Sequence, residues 1–132
     1  MKQVWVEFSA EEEEPLVFAA WVAKTPEQRG RGFQGVCPGL VTERSLLFVF
    51  PAPVKANFHM SGVALPLDIV FIDVFRQVIN IQRMALQESD RSTTYYRSDT
   101  VFQFALETAA ERLDQLRRNP RLWRMRVSNR NQ

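Results

Sequence analysis

Short apolar segments separated by turn residues run through most of the chain. Three of them, residues 45–51 (SLLFVFP), 67–73 (LDIVFID) and 78–84 (VINIQRM), are rich in β-branched and aromatic side chains and end at proline, glycine or polar residues. Runs of about 4–8 residues with this composition are typical of strands and too short for most helices. The sequence therefore predicts a β-rich protein.

The N-terminal part of the chain has the pattern of a β-hairpin. Apolar side chains occupy alternate positions in residues 3–8, and residues 16–24 form a second apolar segment. Alternation with a period of two is typical of a strand with one buried face. The four consecutive glutamates at 11–14 are then expected to lie in a solvated loop. Residues 100–107 (TVFQFALE) are the last predicted strand.

A capping box marks the start of a first short helix. Thr25 is a favourable N-cap, Pro26 suits the first helical position, and Gln28 is the third residue after the cap. In such a box, the cap hydroxyl and the glutamine side chain each bind the other residue's backbone N–H. Three glycines within residues 30–35 then limit the helix.

A second capping box is indicated near the end of the last predicted strand. Thr108 and Glu111 have the required spacing and predict a helix over residues 109–119, which Pro120 would end. Its apolar positions recur at helical intervals and give a narrow face that should pack on the sheet. These positions are Ala109, Leu113 and Leu116.

Together these elements predict an α+β fold. At 132 residues, the chain is sized for one domain that buries roughly two-thirds of its unfolded surface. Short strands with two brief helices favour a single compact β-rich domain, built on a curled antiparallel or mixed sheet or on a small barrel. We place this domain at residues 1–118 and assign residues 119–132 to a basic C-terminal extension.

Composition argues against several classes of protein. No apolar run reaches the ~20 residues of a transmembrane helix, and the N-terminus lacks the basic and apolar regions of a signal peptide. We therefore expect a soluble protein that is cytoplasmic at synthesis. Cys37 has no second cysteine to pair with, and His59 is the only histidine. No metal site, cofactor or internal disulfide is predicted.

Positive charge is concentrated at the C-terminus. Six arginines follow or flank the end of the second predicted helix, after the last acidic residue: Arg117, Arg118, Arg121, Arg124, Arg126 and Arg130. Such a tail can bind phosphate, an anionic membrane surface or an acidic protein. A nucleic-acid contact is the weaker alternative, because Trp123 is the only aromatic residue of the tail.

We expect the tail to bind a protein partner. Residues 126–132 have too few apolar side chains to become ordered alone, so another surface should hold them. Arginine and tryptophan are favoured interface residues, and the acidic residues 11–14 of a second copy could pair with the arginines. The predicted partner-binding residues are Arg118, Arg121, Leu122, Trp123, Arg124, Met125 and Arg126. This predicts a homo-oligomer or a subunit of a larger assembly, such as a virus particle.

Five segments follow one another in the order and spacing of a known family. They are TPEQRGRGF, LLFVFPAP, FHMSGVALPLDIVFID, YYRS and FALE, within about residues 20–107. In this they resemble the domain of unknown function family usually numbered 192. The resemblance implies a compact β-rich domain, often secreted or membrane-tethered, without an established activity. It implies a fold rather than a function.

The chain departs from that family at polar positions. Where the family pattern reads Trp-Met-Lys-Asn-Thr, residues 59–63 read HMSGV, and the glycine-rich closing segment of the family is absent. The resemblance therefore implies a polar cleft that has lost some of its residues. The remaining cleft candidates are Arg29, His59, Asp68 and Glu107.

Asp68 is a single carboxylate in an otherwise apolar strand. Val70 and Ile72 share its face, and apolar residues also occupy the other face, so the strand should be central and Asp68 at least partly buried. A buried carboxylate requires a partner, and Arg29 is the first candidate. A pair that stabilises the fold is the preferred interpretation, and a catalytic acid or ligand anchor is the alternative.

Two functional classes remain open. The preferred one is a non-enzymatic structural or protein-interaction module, because the chain keeps its apolar framework, loses cleft residues and gains a basic tail. The alternative is a small-ligand binder or an enzyme that uses the remnant cleft. No catalytic residues are predicted, since the sequence contains neither a nucleophile elbow nor a nucleotide-binding motif.

Overall fold

The computed structural model describes residues 1–88 and 92–129. Within them lie seven strands: β1 (Gln3–Ser9), β2 (Leu16–Ala23), β3 (Ser45–Val54), β4 (Leu67–Ile72), β5 (Val78–Met84), β6 (Phe102–Ala109) and β7 (Arg124–Ser128). The described helices are short: α1 (Pro26–Arg31), α2 (Pro38–Glu43), α3 (Asp114–Arg117) and a 3-10 turn at Pro120–Leu122.

All seven strands belong to one mixed sheet in the order β5-β4-β6-β3-β2-β1-β7. Neighbouring strands are antiparallel except β2 and β3, which are parallel because the connection that carries α1 and α2 returns the chain to the same end of the sheet. The predicted N-terminal hairpin is confirmed, with Val6 of β1 opposite Phe18 of β2. The predicted α+β fold with a curled, mixed sheet is also confirmed.

The sheet curls until its two edges meet. Gln77, just before β5, forms a bridge with Arg124 of β7. Beside it, the backbone N–H of Val78 donates to the oxygen of Trp123 at 3.0 Å, and the N–H of Met125 donates to the oxygen of Arg76 at 2.8 Å. One face of the sheet is therefore enclosed, and we call it the inner face.

Each face of the sheet carries its own apolar core. The inner core takes side chains from all seven strands, among them Phe8, Val70 and Leu106. The outer core takes side chains mainly from β3, β4, β5 and β6, and it is covered by α2 and by the connection between β3 and β4. Because side chains alternate along a strand, neighbouring residues of β4 and β6 enter different cores.

The first helix begins as predicted. The hydroxyl of Thr25 accepts the backbone N–H of Gln28 at 3.2 Å, and the Gln28 side chain accepts the N–H of Thr25 at 3.3 Å. The helix ends at Gly32, whose φ of +53° and ψ of −133° suit glycine alone among the residues.

The second predicted capping box is wrong. Thr108 belongs to β6, pairs with Asp68 of β4, and is hydrogen-bonded through its hydroxyl to Ser45 at 3.0 Å. Contacts with β4 and β3 hold Thr108 in extended geometry. The spacing of Thr108 and Glu111 in the sequence does not contain these contacts between distant strands. Only α3 is helical in this region, although Leu113 and Leu116 do pack in the inner core as expected.

The C-terminal segment does not stand apart from the domain. Residues 124–128 form β7, which pairs with β1, and both Trp123 and Met125 are buried in the inner core. The boundary predicted at 118/119 therefore falls inside the fold, because the sheet needs β7 to cover the outer edge of β1. Arg130 and the other residues of 130–132 lie outside the described residues.

The arginines of this segment contact the chain itself. Arg126 pairs with Glu7 at 3.3 Å, and Arg124 donates to the side chain of Gln77 at 3.2 Å and to the oxygen of Phe75 at 3.0 Å. Arg118, Arg121 and Leu122 remain exposed. The predicted partner surface thus loses two of its three apolar residues, Trp123 and Met125, because the domain already covers them, and keeps Leu122.

Candidate functional site

Asp68 lies at one end of the inner face, in a strand whose six residues are all buried. Its carboxylate accepts hydrogen bonds from Arg83, from Nη2 of Arg117 at 2.7 Å and from the backbone N–H of Glu111 at 2.8 Å. The hydrogen bond to Asp68 raises the pKa of the Arg83 guanidinium. The carboxylate of Asp68 therefore joins β5, α3 and the connection before α3 to β4. This is a structural role.

The predicted partner of Asp68 is wrong, although its predicted burial in a central strand is right. Arg83 stands directly opposite Asp68 in the β4–β5 pair, so the hairpin register would have identified it. Arg117 comes from α3 and was interpreted only as one charge of the tail. Arg29 lies on the outer side and cannot reach Asp68.

Replacing Asp68 by alanine should lower the free energy of unfolding by about 2–4 kcal/mol, because two guanidinium groups and one backbone N–H lose a buried acceptor. Chemical denaturation followed by circular dichroism measures this. Asp114→Ala is the matched control, since Asp114 pairs with the same two arginines at 3.7 and 3.2 Å but is 56% exposed. Its effect should stay within about 1 kcal/mol, and equal effects of the two variants would contradict a special role for Asp68.

Glu107 lies on the opposite face of the sheet from Asp68, between Leu46 of β3 and Ile69 of β4. It is only 4% exposed, and no described residue forms a hydrogen bond or ion pair with its carboxyl group. Burial raises the pKa of Glu107 from 4.5 to about 8. The carboxyl group is therefore mostly protonated at neutral pH.

A cavity of about 180 Å³ opens over Glu107 on the outer face. Its walls are largely aromatic, and apart from Glu107 of β6 its polar lining residues come from the end of α1, the residues just after it, and the connection between β3 and β4. The aromatic members are Phe33, Phe48, Phe50 and Phe58, and the polar ones are Arg29, Arg31, Gln34, Asn57, His59 and Glu107. We call this cavity the outer pocket.

The side chain of Arg29 is fixed at the rim of the outer pocket by hydrogen bonds to backbone oxygens of other residues. Its Nη1 donates to the oxygen of Lys24 and, at 3.1 Å, to the oxygen of Val49. Its guanidinium lies 4.8 Å from the ring centre of Phe50, a cation–π distance. The side chain is thus held in place before any ligand arrives.

Gly32 forms part of the wall beside Glu107. A Cβ atom added to it would lie 3.6 Å from Cζ of Phe48 and 3.9 Å from Oε1 of Glu107. Any longer side chain would therefore extend into the space over the carboxyl group. Glycine at this position both permits the positive φ and leaves the pocket open.

The structure brings three of the four cleft candidates together. Arg29, His59 and Glu107 all line the outer pocket, whereas Asp68 does not, because it points to the inner face. Arg31 and the aromatic walls were not predicted from the sequence. Alternation of Phe48 with Phe50 along β3 was the one available signal, since residues two apart in a strand share a face.

The described part of the chain offers neither a metal centre nor a membrane span. No group of three or more histidine, cysteine or acidic side chains is placed to hold a metal ion within residues 1–88 and 92–129. Over the same residues, no helix combines the length and the apolar character needed to cross a bilayer.

Two crystal structures have similar folds. One is described as a "putative transcription regulator" from Sinorhizobium meliloti 1021, at a TM-score of 0.81 and 20% identity, covering 95% of this chain and 93% of that one. The other is a protein of unknown function from Novosphingobium aromaticivorans DSM 12444, at 0.80 and 22%, covering 94% and 84%. At these identities the likeness concerns the fold alone.

A family comparison extends the resemblance noted in the sequence. The search of curated proteins gave no match. The sequence profile of the family DUF192, described as "Uncharacterized ACR", matches residues 7–120, which is most of the chain and more than the five segments alone suggested. The chain therefore belongs to the DUF192 family.

Proposed function

We propose that the protein binds a small organic molecule in the outer pocket. The observation that carries this proposal is Glu107, a buried carboxyl group that faces a cavity and has no partner among the described residues. Buried polar groups in folded proteins are nearly always hydrogen-bonded, and the carboxyl oxygens of Glu107 open into the cavity, so their partner is water or a molecule bound there. A ligand with a hydrogen-bonding group would be that partner.

The rest of the lining supports binding. Ligand pockets typically combine apolar and aromatic walls with a few convergent polar groups. Here Phe58 has edge contacts with Phe48 at 5.1 Å and Phe50 at 6.5 Å, so the rings hold one another in place. Arg29 is fixed on Phe50 at the rim. Such a preformed wall lowers the entropy lost on binding.

Binding is favoured over catalysis by the chemistry of the lining. The described lining residues include no serine, threonine, cysteine or lysine that could act as a nucleophile beside Glu107. A protonated carboxyl group among aromatic rings can donate and accept hydrogen bonds without any further group. We therefore assign Glu107 the role of ligand anchor.

The interaction module preferred from the sequence has lost its main support. That hypothesis depended on a tail ordered by a second molecule, whereas β7 and Trp123 are ordered by β1 and the inner core. No contact in the described residues replaces that argument. The small-ligand alternative is now the better supported of the two, because three of its four candidate residues line the outer pocket.

Filling the outer pocket should abolish ligand binding without unfolding the protein. Ala56 lines the pocket at its edge, so Ala56→Trp places an indole in the space a ligand would occupy. A library of ring-sized fragments is screened against the ¹⁵N-labelled wild type by two-dimensional NMR. We expect fragments that shift Gly32 and His59 resonances, and at least tenfold weaker binding of the same fragments to Ala56→Trp.

Ala64→Trp is the matched control, since Ala64 is exposed in the same β3–β4 connection and does not line the pocket. It should bind the fragments as the wild type does. A screen in which no fragment shifts the pocket resonances, or in which both tryptophan variants bind normally, would overturn the proposed function.

A further inference from the structure

The outer pocket combines a cationic rim with an uncharged floor. Resting on the proposed function, we infer that its ligand is a small organic anion, with the charged end among Arg29, Arg31 and His59 and a hydrogen-bonding group on Glu107. Such a ligand has a carboxylate or a similar group at one end, a ring-sized apolar body, and a hydroxyl or carbonyl at the other end.

The rim supplies positive charge that the chain leaves unneutralised. Arg31 is exposed and has no ion pair with any described residue. Arg29 uses Nη1 for two backbone oxygens, and no described residue accepts a hydrogen bond from its other two guanidinium nitrogens. Guanidinium groups stay charged at all relevant pH values and bind carboxylates in a fork geometry. The free edges of these two side chains therefore suit an anionic head group.

His59 adds a hydrogen-bond donor to the rim. Its Nδ1 accepts the backbone N–H of Ser61 at 3.2 Å, so in the neutral imidazole the proton is carried by Nε2. The ring is also held edge-on against Tyr95, with centroids 6.4 Å apart. The donor nitrogen is therefore oriented by two contacts on the protein.

Glu107 does not cancel the charge of the rim. Among the described lining residues it is the only acidic one, and the titratable or charged groups of that set that face it across the pocket are Arg29, Arg31 and His59, with none from β3 or β4. Burial keeps the carboxyl group protonated at neutral pH, since its pKa is about 8. An anion entering the pocket thus meets two arginines and no ionised carboxylate.

The dimensions of the outer pocket limit the body of the ligand. An apolar cavity of about 150 Å³ can hold a benzene molecule, and the outer pocket has about 180 Å³. One aromatic ring or an aliphatic body of similar size therefore fits in the cavity, against the wall that Phe48, Phe50 and Phe58 form. Longer molecules would have to extend past the rim into solvent.

Three para-substituted phenols of similar size and different charge test the inference: 4-hydroxybenzoate, 4-hydroxybenzamide and tyramine. Each is titrated into the wild type at pH 7 and followed by NMR. The anion should bind at least tenfold more tightly than the amide, and the amine weakest of all. Arg31→Gln should weaken the anion severalfold and leave the amide unchanged, whereas Arg118→Gln, an exposed arginine away from the pocket, should change neither.

The pH profile tests the contact with Glu107. If only the protonated carboxyl group accepts an anion, affinity should fall by about tenfold between pH 7 and pH 9, as the group ionises. Glu107→Gln stays neutral and should show only the small change in affinity caused by ionisation of the probe's own phenol, which begins at about pH 9. To separate the contribution of Glu107 from that of His59, the profile is repeated in His59→Gln, where the same fall should persist.

The outcomes separate this inference from the proposed function. One contrary outcome is that fragments bind in the pocket with the neutral or cationic ones tightest, and another is that the affinity for the anion rises from pH 7 to pH 9. In either case the pocket binds ligands, but the inference that its ligand is an anion is wrong. If nothing of any charge binds there, both proposals are overturned together.

Discussion

Replacing Trp123 by alanine is expected to lower the free energy of unfolding by about 3–5 kcal/mol, the usual cost of removing a buried tryptophan. Trp123 is 2% exposed and packs in the inner core, and its backbone oxygen accepts hydrogen bonds from Val78 at 3.0 Å and from the side chain of Gln77 at 3.1 Å. The substitution leaves a large cavity at the point where the two edges of the sheet meet. Urea denaturation followed by circular dichroism measures the change.

Leu122 provides the matched comparison, because it is the preceding residue and is 59% exposed. Leu122→Ala should change the unfolding free energy by no more than about 0.5 kcal/mol. If Trp123→Ala were equally mild, Trp123 would not be part of the core, and the tail would regain its role as a partner-binding extension.

Replacing Glu107 by glutamine should stabilise the protein at alkaline pH by about 3–5 kcal/mol, since one unit of pKa difference is equivalent to about 1.4 kcal/mol. The pKa of Glu107 is about 8 in the folded state, against 4.5 for an ordinary glutamate. The folded state therefore binds the proton more tightly than the unfolded chain. The associated stability is fully present below pH 4.5 and is lost progressively as the pH rises to about 8.

The two proteins should consequently be similar in stability at pH 5 and differ most at pH 9. Chemical denaturation at both pH values measures the difference. Glu43→Gln, at an exposed position in α2, controls for the general loss of one negative charge. A wild type whose stability falls no more steeply than that of Glu107→Gln between pH 5 and pH 9 would show that the carboxyl group is solvated or paired.

Local sequence patterns were sufficient for most strands and for the first helix. Alternation predicted the β1–β2 hairpin, and the box at Thr25 predicted α1, because both depend on residues close in sequence. The segment 123–127 also alternates, with Trp123 and Met125 buried between exposed arginines. Alternation shows that one face is covered but not by which chain, so the same pattern was interpreted as an intermolecular contact.

The candidate site depended on a register that no sequence pattern contains. Asp68 stands opposite Thr108, and Glu107 is the residue before it, so the two acids face opposite sides of the sheet. A shift of one residue between β4 and β6 would have placed them together, as the predicted cleft required. Glu107 is buried because loops cover the outer core. These loops have no regular pattern, so the sequence did not predict how they would pack.

The pairing of β1 with β7 has a consequence for how the chain folds. Trp5 pairs with Ser128, so β1 and β7 come from opposite ends of the described chain. Pairing between segments so far apart in sequence is slow to form. During synthesis, β1 and β2 can form their hairpin early, while the other edge of β1 stays unpaired until β7 leaves the ribosome. That interval exposes both an open strand edge and the apolar residues of the unfinished inner core, which is when aggregation competes with folding.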